Sequence, residues 1–324
     1  MPTSSPVKPL LLLLLASLMT SVMSVSIGSS AMGIEDTLRV LTGSGSELQQ
    51  TLILELRLPR TLSAFATGGL LAVAGALMQV LLRNPLADPY VLGLSGGAAV
   101  GALLAMLAGA AGFLVSGSAF AGAMLATLMV FGLAHGSGSW TPSRLLLTGV
   151  VVAAGWGAVI TLILSMTPAR RLPGMLYWLM GDLSHAATPW PGLIVLAVVC
   201  LLVFPLGRAL NVLARGSLQA AALGVSVRPL EWSIYLMASL LTATAVTMAG
   251  SVGFVGLVVP HMLRLVLGND QRVILPACAL AGGTLLVLAD TLARVVIAPE
   301  QLPVGVITAL LGVPTFLYLL HRSR

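Results

Sequence analysis

The sequence predicts an all-α polytopic membrane protein, with about ten transmembrane helices forming a single transmembrane domain over residues 1–324. Two observations carry this. The chain is 58% hydrophobic and only 8% charged, with a mean hydropathy of +1.04, whereas soluble domains carry about 25% charged residues. Apolar runs near the roughly 20 residues that a span needs recur from end to end, leaving no stretch polar enough for a soluble domain. Chemistry outside the membrane therefore belongs to partners.

Ten apolar segments are read in order, at about 9–27, 59–82, 91–112, 115–134, 144–165, 189–206, 230–250, 254–267, 274–291 and 304–320. The first follows Lys8 and resembles a signal peptide, but its run is long for an apolar signal core and the small-residue site near Ala31 is weak. It is read as a retained span. The second follows LRLPR. The eighth, FVGLVVPHMLRLVL, is short and contains Pro260, His261 and Arg264, so a full span and a re-entrant or broken helix both remain open. Glycine and alanine concentrate inside the segments, as in LSGGAAVGALLAMLAGAAG. Small side chains let helix backbones approach closely in lipid, where packing holds helices together; some also suit a path for a bulky solute.

With both termini cytoplasmic, the inside receives Lys8, Arg83, Arg144, Arg208, Arg215, Arg228, Arg264, Arg272, Arg322 and Arg324 against Asp88, Glu231 and Asp270. The outside receives six cations, Arg39, Arg57, Arg60, Arg170, Arg171 and Arg294, against six acids. This bias follows the positive-inside rule. It also accounts for the net charge of +6 without a nucleic-acid patch, because the cations are scattered singly.

Several function classes lack their residues. Cys200 and Cys278 both fall in apolar runs, so neither a disulfide framework nor a metal site is expected. His135, His185, His261 and His321 lie far apart, which argues against a membrane enzyme with a catalytic cluster. There is no GxxxxGK[ST] loop, and no cofactor is implied. A secondary carrier is the main rival reading, and it needs a costly intramembrane coupling charge. Asp290 is the deepest candidate, yet it stands four residues before Arg294, the spacing of a helical ion pair.

LRLPRTL (56–62), GALMQVLLRNPLADPYVLGLSGGA (75–98), SRLLLTGV (143–150), YWLMGDL (177–183), GSLQAAALGV (216–225), GSVGFVGLVVPHMLRLVLG (250–268) and PVGVITALLGVPTFLYLL (303–320) occur in one order over nearly the whole chain. Together they resemble the FecCD family, the permease subunits of ATP-binding-cassette importers for iron-siderophore, haem and cobalamin substrates. The resemblance implies the type II importer architecture in a bacterial inner membrane. It further implies a second copy of the permease, two ATPase subunits that hydrolyse the ATP, a periplasmic binding protein and a large chelate as cargo.

The charged interruption RNPLADPYVLGLSGG becomes a cytoplasmic turn between the second and third spans. Pro85 and Pro89 stop helix continuation, Asn84 and Asp88 pair free backbone groups, and Gly96–Gly97 permits close packing. In the loop 207–229, Leu218, Ala221, Ala222 and Leu223 form one apolar face of a short helix, with Gly224 suited to its C-terminal cap. The resemblance makes Gly216–Gly224 the coupling helix of the ATPase contact; a helix resting on lipid is the plainer alternative. Arg57 and Arg60 precede the second span and Arg294 follows the ninth. The resemblance implies that such arginines receive acidic residues from the two lobes of the binding protein, while snorkelling to headgroups is the plainer reading.

Overall fold

Backbone groups in hydrocarbon must be paired within their own segment, and all ten apolar runs form helix in the computed structural model, which describes residues 7–28, 33–134, 141–184 and 188–322. In chain order, α1 (Val7–Ser26) is followed by two short helices, α2 (Ile34–Leu41) and α3 (Glu47–Gln50). A π-helical stretch, Thr51–Arg57, continues without a break into α4 (Leu58–Leu81). Then come α5 (Leu94–Leu107), α6 (Phe113–Ala134), α7 (Pro142–Met166), the short α8 (Leu172–Leu179) and α9 (Trp190–Val203). Two more short helices, α10 (Gly207–Leu213) and α11 (Ser217–Ala222), precede α12 (Val227–Ala249), α13 (Val255–Leu267), α14 (Gln271–Val295) and α15 (Val304–Arg322). No strand occurs among the described residues. Ala31, His135, His185 and Arg324 lie outside the described residues.

Seven helical stretches among the described residues are long and apolar enough to cross a membrane. The other expected segments form α5, α13 and α15. With 14 and 13 residues, α5 and α13 rise only about 20 Å, against a hydrocarbon core of about 30 Å. Both are preceded by a break. Pro89–Leu92 makes one 3-10 turn that ends in left-handed Gly93 (φ 73°), and Gly250 (φ 66°) and Phe254 (φ 70°) bracket the turn before α13. The two breaks pack on each other, with Val252 N–H donating to Tyr90 Oη at 3.2 Å. Residues 255–267 form one uninterrupted short helix that carries Pro260, with the break before it, and the third segment, read as continuous from residue 91, is likewise shortened. Non-helical backbone of this kind requires burial in protein, and Leu92, Val252 and Val255 are all buried.

The core is built around α4. Every residue from Ala66 to Leu81 is buried, as expected of a helix apolar on all sides. It packs most extensively against α14 and α12, then α13 and α9. The separations are set by glycine. A Cβ on Gly68 would lie 2.1 Å from Gly282 O, and one on Gly75 would lie 1.8 Å from Gly256 O. Both obstacles are backbone, so no rotamer change relieves them.

Gly75→Ala should therefore push α4 and α13 apart, lowering stability by at least the ~1–3 kcal/mol typical of overpacking. On α7, nothing lies within 4 Å of a Cβ on Gly155, so Gly155→Ala should change stability by less than about 1 kcal/mol. Thermal unfolding of both variants in detergent checks the contrast.

Candidate functional site

The loop between α9 and α12 folds as expected into a short helix with an apolar outer face. Gly216 enters α11 at φ 138°, and Gly224 closes it in the left-handed region at φ 79°. Gly224 N–H donates to Ala221 O and Val225 N–H to Ala220 O, the paired bonds of a glycine C-terminal cap. Ala220 is buried against the chain, whereas Leu218 is 87% and Leu223 71% exposed. Ala221, Ala222 and Gly224 are exposed as well, so the apolar face points away from its own protein.

This segment is tied to the bundle at its base. On α10, Asn211 Nδ2 donates to Asp270 Oδ1 at 2.9 Å and Asn211 Oδ1 accepts from Gln271 N–H at 2.8 Å, linking α10 to the start of α14. Arg272 donates to Asp270 at 2.8 Å, and its bonds hold the Asp270 carboxyl well below the usual carboxylate range. Arg83, at the end of α4, reaches Ser217 Oγ on α11 at 3.4 Å. The turn that begins there uses its polar residues as expected. Asn84 Oδ1 accepts from Leu86 N–H at 2.9 Å and Asp88 Oδ1 from Tyr90 N–H at 2.7 Å. Burial pushes the Asp88 carboxyl up to about 6, with the Tyr90 N–H bond opposing it. A Cβ on Gly97 would lie 2.4 Å from Gly122 O and one on Gly96 2.7 Å from Trp156 Cβ, so the glycine pair seats α5 against α6 and α7.

At the other end, the three arginines read as a docking set are turned inward and engaged within the chain. Arg57 is 9% and Arg294 5% exposed. Arg57 donates to Val25 O (3.0 Å) and Ser26 O (3.2 Å), and Arg294 to Ser24 O (3.1 Å) and Ile27 O (3.3 Å). Together they cap the carbonyls at the C-terminal end of α1, which have no intrahelical partner. Arg60 forks onto Asp290, Nη2 to Oδ1 at 2.8 Å and Nε to Oδ2 at 3.1 Å, while Nη1 donates to Gln301. Arg294 Nε lies 3.1 Å from Asp290 Oδ2, so the ion pair inferred from the i,i+4 spacing is present. Asp290 is fully buried between the two cations.

The partner Arg60 and the α1 carbonyls were missed because they depend on tertiary contacts, 230 residues apart for Arg60 with Asp290, 270 for Arg294 with Ser24 and 32 for Arg57 with Val25. A weak signal existed, since Arg57, Arg60 and Arg294 lie at the ends of two apolar segments, one of which carries Asp290. Sequence reading also missed the π-helical run that brings LRLPR into the helix, and the apolar helix α8. Cys200 and Cys278 are free, and no group of three His, Cys, Asp or Glu suited to a metal occurs among the described residues.

Residues 12–322 match the FecCD transport family. The chain is 43% identical over 283 residues to the cobalamin import system permease protein BtuC of Halobacterium salinarum, covering 85% of this chain and 74% of that one. It is 38% identical over 323 residues to the hemin transport system permease protein HmuU of Yersinia pestis, covering 96% of each. A solved metal-chelate type ABC transporter in an inward-facing conformation superposes with a TM-score of 0.85 at 30% identity, over 97% of this chain and 99% of that one.

Asp290→Asn leaves two buried guanidiniums without a counter-charge and should cost about 3–5 kcal/mol, the usual cost of breaking a buried pair from one side. Thermal unfolding in detergent measures it. Wild-type stability in this variant would mean that Gln301 suffices to hold Arg60 and the α1 carbonyls to hold Arg294.

Proposed function

The chain belongs to the FecCD transport family, as a permease of the ABC importer type, and from that premise we propose that it carries a large chelate across a bacterial inner membrane. The cargo is a ferric siderophore, haem or a corrinoid, handed over by a periplasmic binding protein. The protein hydrolyses nothing itself; two copies of a separate ATPase drive it. The observation that carries this reading is the apolar tip of α11, with Leu218 and Leu223 exposed, on a segment anchored to α14 through Asn211. An apolar surface held out from a basic loop suits a cleft in a partner, and a push on it reaches α14 directly.

A second copy of the chain completes the path. Among the seven long apolar helices α7 is the least buried, and its outer face includes Ala154, Gly155 and Ala158, all exposed. Small side chains there allow another helix to approach closely. Both termini are placed in the cytoplasm, following the excess of Lys and Arg on the α11 side. The binding protein would meet the opposite end. There Arg57, Arg60 and Arg294 are engaged within the fold, so the contact would rest on the shape of that end more than on a direct grip by these arginines.

Leu223→Asp places a carboxylate in the apolar contact without a partner. Because Leu223 is exposed, the fold should survive, while co-purification of the ATPase and ATP-dependent uptake should both fall about tenfold or more, corresponding to the roughly 1–3 kcal/mol cost of an unpaired polar group. Normal complex yield together with normal uptake would falsify the coupling role of α11. Uptake of labelled cobalamin, haem and ferric siderophores by a deletion strain, with and without a collapsed proton gradient, identifies the cargo and separates an ATP-driven importer from a secondary carrier.

A further inference from the structure

At the end of the bundle that carries α10 and α11, a cavity of about 550 Å³ opens between the last turn of α4, α10, α13 and the start of α14. Arg83, Arg215 and Arg264 all line it. The one acid in its wall is Asp270, and that carboxylate is already taken by Arg272 at 2.8 Å and Asn211 at 2.9 Å.

None of the three arginines has a carboxylate partner among the described residues. Arg264 donates to neutral acceptors, Gln79 Oε1 and Ala76 O. Arg83 reaches only Ser217 Oγ, at 3.4 Å, and is held toward the cavity from a left-handed backbone at φ 50°. The Arg215 guanidinium makes no hydrogen bond to a described residue. Glu231 on α12 acts on Arg83 electrostatically without forming an ion pair. Two amides complete the wall, Gln79 at 4% and Gln271 at 2% exposure, and Gln271 Oε1 has no hydrogen-bond partner.

Three uncompensated guanidiniums around one polar cavity demand an anion with several oxygens. Guanidinium forks match phosphate geometry, and charge-assisted bonds of this kind are about twice as strong as neutral ones. Basic pockets between transmembrane helices on the cytoplasmic side take phosphate head groups. We infer that this cavity is a phosphate-binding site, receiving either the head group of an anionic phospholipid or a soluble phosphate. A hydroxyl on a larger occupant would also satisfy Gln271 Oε1. The site adjoins the coupling segment on two sides, because Arg215 directly precedes Gly216 and Arg83 touches Ser217. A bound phosphate therefore ties the base of α11 to the ends of α4 and α13. The inference goes beyond the importer reading and needs only that the chain sits in a membrane with this end at an anionic surface.

The test uses the full-length chain purified in mild detergent, so it does not depend on uptake or on an ATPase. Native mass spectrometry reads the retention of phosphatidylglycerol against phosphatidylcholine, and calorimetric titration reads inorganic phosphate against chloride at matched ionic strength. The double variant Arg83→Gln, Arg215→Gln should weaken the binding roughly tenfold or more, as expected for losing hydrogen bonds to a charged group. Arg144→Gln, an exposed cation on α7 outside the cavity, should leave it unchanged. Selective retention of phosphatidylglycerol assigns the site to lipid, and phosphate binding without lipid retention assigns it to a soluble ligand. Absence of both, or an equal loss in Arg144→Gln, overturns the site in favour of diffuse surface charge.

Discussion

The close backbone approach along α4 is the constraint on which the other helices depend. In lipid there is no hydrophobic force to press helices together, so contact energy comes from packing at short range. Gly68 against Gly282 and Gly75 against Gly256 bring peptide groups of α4, α14 and the start of α13 into direct contact. That contact buries α4 completely from Ala66 onward. It also places the break before α13 beside the turn before α5, where Tyr90 and Val252 join them. Once these helices are set, the ends of α4, α13 and α14 define both the anchor for α10 and the arginine-lined cavity beside it.

Charge follows from the same packing. Cations expected at loop surfaces are instead used on the ends of helices, whose last carbonyls lack intrahelical partners. Arg57 and Arg294 take those of α1, and Arg171 donates to Leu107 O at the end of α5. Asp290 then offsets part of the buried positive charge through Arg60 and Arg294. These residues hold that end of the bundle together through bonds within the chain. The Arg83, Arg215 and Arg264 group at the opposite end differs because no carboxylate forms an ion pair with it among the described residues.

For a FecCD-family permease, the useful consequence is mechanical continuity. The exposed face of α11 and the Asn211 link to Asp270 and Gln271 form one short route from the surface of the chain to α14. From there the glycine contacts reach α4 at the centre of the bundle. A route made of hydrogen bonds and backbone contact is stiff, which suits conversion of a push at α11 into a shift of whole helices.

Read alone, the sequence determined that the chain is a helical membrane protein, where its apolar helices lie, that 216–224 caps as a short helix, and that Asn84 and Asp88 close the turn after α4. Each of these rests on composition or on residues within a few positions of each other, such as Gly224 supplying a left-handed cap and Asp290 standing one helical turn from Arg294. Only the tertiary structure decided that Arg57, Arg60 and Arg294 face inward, that α5 and α13 are shortened by paired breaks, and that three distant arginines share one cavity. Side chains that look alike in sequence, as all these arginines do, acquire different roles from their partners, and those partners are brought within reach only when helices far apart in the chain pack together.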